Sequence, residues 1–75
     1  MPINPGCYIK HLEPQENGEE VLFGFGKVGY QGTNYKNLLT DKIVEIDKSY
    51  IDDGLIKEIQ KEELAKLTEK YNIIV

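Results

Sequence analysis

Seventy-five residues with nine lysines, no arginine, thirteen carboxylates and one cysteine carry a net charge of −4. That length holds a single domain, residues 1–75, and excludes a large core, because a chain of this size hides only about 60% of the surface its unfolded form exposes. One cysteine excludes an internal disulfide, and an acidic chain without arginine lacks the planar fork that grips phosphates and guanine edges, which argues against a sequence-specific DNA reader.

The hydrophobic share of 40% and charged share of 29% are those of a globular domain rather than a disordered chain. No apolar run approaches the roughly 20 residues of a membrane-spanning helix. The opening Met1-Pro2-Ile3-Asn4-Pro5-Gly6 has neither the basic cluster nor the apolar stretch of a signal peptide. With Cys7 as the lone thiol, the expected location is the cytoplasm, with no membrane association. Domains this small often draw stability from a disulfide, a metal or a partner.

In chain order, Cys7 to Glu13 reads as a strand with Tyr8, Ile9 and Leu12 as its apolar members. Pro14-Gln15-Glu16-Asn17-Gly18 is a turn cluster whose Asn-Gly pair accepts positive φ angles. A second strand follows over about Glu20 to Tyr30, with Val21, Phe23 and Phe25 alternating onto one face and Leu22, Gly24, Gly26 and Val28 onto the other. Residues 29–41, punctuated by glycine and asparagine, read as a loop anchored by Tyr30, Tyr35, Leu38 and Leu39. A loop of that length in so small a domain is often functional or holds a short helical turn.

Lys42 to Tyr50 reads as a third strand with Ile43, Val44 and Ile46. Asp52-Asp53-Gly54 then permits either a second hairpin, making 55–60 a fourth strand, or the cap of one long helix running to Tyr71. On a helical wheel, Leu55, Ile56 and Ile59 point about 100° away from Leu64, Leu67 and Tyr71, so one straight helix cannot bury both groups. The preferred reading is a strand, a break near Gln60, and a helix over about 61–71 ended by Asn72 in the left-handed conformation, with Ile73-Ile74-Val75 as a possible short strand. The fold class is therefore α+β: a small antiparallel sheet of three to four strands with one C-terminal helix, in an arrangement that suits an SH3-like half-barrel.

Several motifs suggest chemistry, and each has a plainer explanation. Gly24-Phe25-Gly26-Lys27-Val28-Gly29 matches G-x-G-x-x-G, but no helix follows the third glycine to complete a dinucleotide site. Gly24 and Gly26 are better explained as room for a packed helix, a bulge or strand curvature. Gly26-Lys27 lacks the rest of a P-loop. The acidic stretch from Asp47 to Glu58 fails the register of a calcium loop, since Gly54 falls at the wrong position or ligands are replaced by Ile51 and Gln60. Cys7 and His11 on one strand lie about 13 Å apart, too far for a shared metal or a dyad. Cys7 is expected to be a small buried residue, and His11 a surface or edge residue. Ser49, the only serine, sits in no nucleophile elbow. Neither a catalytic residue nor a metal or cofactor site is expected.

The aromatic residues remain. Phe23, Phe25, Tyr30, Tyr35 and Tyr50 are many for so small a core, and tyrosine is favoured at interfaces. The expected function is a non-catalytic protein-interaction domain: an accessory subunit, an inhibitor or a self-associating protein, with Phe25, Tyr30 and Tyr35 as contact residues and another protein or a second copy as partner. One alternative is a small barrel binding single-stranded nucleic acid through Lys27 and Lys36 beside Phe25 and Tyr35, which the net charge opposes. Another is a small-ligand or phosphate site along Gly24–Gly32.

Overall fold

The computed structural model describes residues 5–74. The chain is α+β, with two small antiparallel sheets and a C-terminal helix. Strand β1 (Tyr8–Pro14) turns through Gln15–Gly18 into β2 (Glu20–Lys27). The Gln15 amide donates to the Glu19 carbonyl (2.7 Å), and Gly18 sits at φ 86°, the left-handed region where a side chain would be strained. Alternate residues of β1 are buried, so Ile9 and His11 point inward while Lys10 faces away.

The β1–β2 ladder carries a bulge. His11 pairs with Gly24 but Leu12 pairs with Leu22, so Phe23 is the extra residue on β2. The bulge overturns the expected alternation of Val21, Phe23 and Phe25 on one face. Phe25, paired with Lys10, lies fully buried near Tyr71 of the C-terminal helix (ring centroids 6.1 Å apart), whereas Phe23 packs on His11 on the opposite face and is 43% exposed.

A strand also runs through the stretch expected to be a loop. The turn Gly29–Gly32 leads into β3 (Asn34–Asn37), which pairs with β4 (Lys42–Glu45). A bridge between Val28 and Tyr35, with the Leu38 amide on the Phe25 carbonyl (2.8 Å), ties β3 to the end of β2. Gly24 and Gly26 make this crossing possible. A Cβ at Gly26 would run into the Lys36 carbonyl, and one at Gly24 into the Asn37 side chain. The glycine face thus receives a strand, not the helix anticipated from sequence. The bulge anticipated there is present, one residue away. Tyr35 anchors this corner with no exposed surface, but Tyr30, expected beside it as a second anchor, is 94% exposed.

The strand read over 42–50 stops at Glu45, because Asp47 accepts the Ser49 amide (3.0 Å) and caps a short helix, α1 (Lys48–Asp52). Gly54, at φ 72°, releases the chain into β5 (Ile56–Glu58). Asp53-Gly54 does not close a hairpin: β5 pairs with β1, giving the order β2-β1-β5. The break near Gln60 and the helix after it are as expected, with α2 at Lys61–Lys70 and Asn72 left-handed at φ 56°. Glu63 of α2 pairs with Lys10 of β1 (2.7 Å). Ile73 and Ile74 add no strand, while Met1–Asn4 and Val75 lie outside the described residues. The core joins Ile9, Val28, Tyr35 and Ile56, with Val44, Ile46, Tyr50 and Ile51 against it.

Candidate functional site

His11 is buried, not at the surface or edge as its sequence context suggested. β1 is the middle strand of its sheet, and an inward residue on a middle strand is closed in from both sides. The Nδ1 atom shares a hydrogen bond with the Tyr35 hydroxyl (2.8 Å). The imidazole lies between the rings of Phe23 and Tyr50, with centroids 4.8 and 4.9 Å away. Burial lowers the His11 pKa from its ordinary 6.5, with the nearby Glu13 carboxylate pulling the other way. Burial pushes the Tyr35 hydroxyl up to about 12, with Tyr50 adding to the shift. Tyr35 therefore stays protonated beside a largely neutral imidazole at neutral pH.

This aromatic group floors a cavity of about 240 Å³ between the far end of the β1–β2 hairpin and α1, lined by His11, Leu12, Phe23, Val44, Tyr50 and Leu55, with Glu13 and Pro14 at its edge. The bulge aims Phe23 at the cavity, the α1 cap sets Tyr50 against His11, and the Leu12 amide on the Leu55 carbonyl (2.7 Å) holds the third wall. No serine, cysteine or lysine lines it. Its volume falls below the roughly 300–1,000 Å³ of pockets that enclose a small molecule, and suits one or two side chains of a larger ligand.

The structure separates the three residues expected to contact a partner. Phe25 and Tyr35 have no exposed surface, so neither can meet a partner while the fold stays closed; Tyr30 alone is open. The same burial removes the aromatic faces on which bases were to stack beside Lys27 and Lys36, and Lys36 pairs with Asp41 (3.1 Å). Along the glycine stretch, the amides of Val28, Gly29 and Gly32 donate to carbonyls of Cys7, Asn34 and Gly29, which leaves them unavailable to a phosphate. Among the described residues no group of His, Cys, Asp and Glu is placed to hold a metal ion, and no helix is long and apolar enough to cross a membrane. Phe23 and Tyr50 were visible from sequence only as part of an aromatic surplus. His11 and Leu55 carried no such signal, because their placement depends on pairing between distant strands. Comparison with protein-family models, curated proteins and solved structures finds no match to this chain.

Proposed function

We propose that this chain is a non-catalytic protein-interaction domain whose contact surface is the groove between the β1–β2 hairpin end and α1. One observation carries the reading: Phe23, 43% exposed, stands at an apolar cavity whose other walls include Leu12, Val44, Tyr50 and Leu55. Aromatic and aliphatic side chains held open by a rigid sheet present surface that a partner side chain removes from water, the usual setting of an interface hot spot. The domain is best described as an SH3-like half-barrel, a description supported by the order β5-β1-β2 and the bridge that carries β2 into β3. A cytoplasmic setting, and another protein or a second copy as partner, remain part of this proposal.

Selection of short random peptides on the purified chain tests it. Peptides should be enriched on the natural chain, lose binding to Phe23→Ser, and keep it on Tyr30→Ala. Enriched peptides that ignore Phe23→Ser but fail on Tyr30→Ala would return the contact surface to the glycine–tyrosine turn.

A further inference from the structure

The groove differs from the rest of the molecule in charge. Its walls come from the hairpin, residues 11–26, and the α1 segment with its flanks, residues 44–55. These hold eight carboxylates (Glu13, Glu16, Glu19, Glu20, Glu45, Asp47, Asp52 and Asp53) and one lysine, Lys48, a net −7. The remaining chain holds five carboxylates and eight lysines, a net +3, which together make the overall −4. The modest total therefore conceals an uneven division of charge along the chain.

Two further observations place part of this charge at the groove and leave it without an ion pair. Glu13 lies at the cavity edge, and its cross-strand partner Val21 lines an adjoining hollow with Gln15, Glu16, Asn17 and Glu19. The ion pairs among the described residues, Lys10–Glu63 and Lys36–Asp41, both lie outside the two groove segments. An apolar cleft beside low-dielectric walls and uncompensated carboxylates attracts cations and repels nucleic acid and acidic chains.

We infer, resting on the groove as the contact surface, that its occupant is a short basic segment of another protein: an aliphatic or aromatic anchor residue with lysine or arginine on either side. The anchor enters between Phe23, Tyr50 and Leu55. The flanking cations lie along Glu13, Glu16 and Glu19 on one side and Asp52 of α1 with its capping Asp47 and Asp53 on the other. Charge then contributes partner choice and association rate, while the anchor holds the complex together.

Two synthetic peptide libraries test this, each with a fixed central leucine, one with flanks of lysine and arginine and the other of glutamate and aspartate. Binding is read by fluorescence polarisation. The basic library should bind at least about tenfold more tightly at about 0.1 M salt. The difference should collapse at about 1 M salt, where the screening length falls from about 10 Å to about 3 Å. It should also shrink in the combined Glu13→Gln, Glu16→Gln, Glu19→Gln, Glu20→Gln variant, whose exposed positions spare the fold, and binding should vanish with Phe23→Ser. If the acidic library binds equally well yet still requires Phe23, the groove stands and the basic partner is wrong. If neither library binds, or binding ignores Phe23→Ser, the groove reading fails and this inference with it.

Discussion

His11 shows how a single side chain takes its properties from the strands around it. Its neutral ring fits between Phe23 and Tyr50 with Tyr35 on Nδ1, and burial disfavours the charged form. A histidine whose folded pKa lies below its unfolded value binds fewer protons when folded. Its contribution to stability is therefore complete above about pH 6.5 and is lost as the pH falls from there through the folded pKa. Urea denaturation at pH 7.5 and at pH 5 should show a loss of stability that is smaller in His11→Gln, after allowing for that variant's lower starting stability. Equal losses in both proteins would assign the pH dependence to the carboxylates. Gly26 makes a second residue-scale prediction. Its φ needs no special freedom, but the Lys36 carbonyl occupies the place of a side chain and is backbone, so it cannot swing aside. Gly26→Ala should cost about 3 kcal/mol, a large part of the roughly 4–11 kcal/mol expected for a domain this size, and the melting curve would register it directly.

At the scale of elements, local chemistry announced some features and pairing decided the others. The hairpin, the turn at Asn17-Gly18, the break near Gln60 and the end of α2 were legible because each rests on a few adjacent residues. The left-handed Asn72 is such a case: Asn72→Ala should destabilise the chain by about 1 kcal/mol, while Asn72→Gly should be neutral or slightly stabilising, as thermal melts would show. β3 was not legible, because Asn34-Tyr35-Lys36-Asn37 has the composition of a loop and becomes a strand only by burying Tyr35 and Asn37 against β2. Asn37 tolerates that burial because its amide oxygen accepts the Leu39 amide (2.9 Å) and its nitrogen reaches the Phe23 carbonyl (3.5 Å). The bulge at Phe23 escaped for a related reason. A period of two places Phe23 with Phe25, and only the register against β1 separates them. The place of Phe23 in the candidate site follows from that one irregularity.

For the whole molecule, size and charge set the terms. A small chain with no disulfide has little core to spare, yet it leaves Phe23 half open rather than folding it inside with Phe25 and Tyr35. The fold also divides its charges, so that the segments around the groove are acidic and the rest is basic. Two acidic stretches distant in sequence meet at one cavity because α1 lies beside the hairpin end, which the order of residues alone does not show. The expectation of a protein-interaction domain thus moves from Phe25, Tyr30 and Tyr35 to a groove floored by His11 and walled by Phe23 and Tyr50.

The most direct test of that groove is an NMR titration of the isotopically labelled chain with the tightest-binding peptide selected on it, following the backbone amides. Shifts confined to Leu12, Glu13, Phe23, Val44, Tyr50 and Leu55 and to the acidic positions beside them, Glu16, Glu19, Asp52 and Asp53, are the predicted result. Shifts centred on Tyr30 and the Gly29–Gly32 turn, or on α2, would contradict the account and place the contact surface elsewhere.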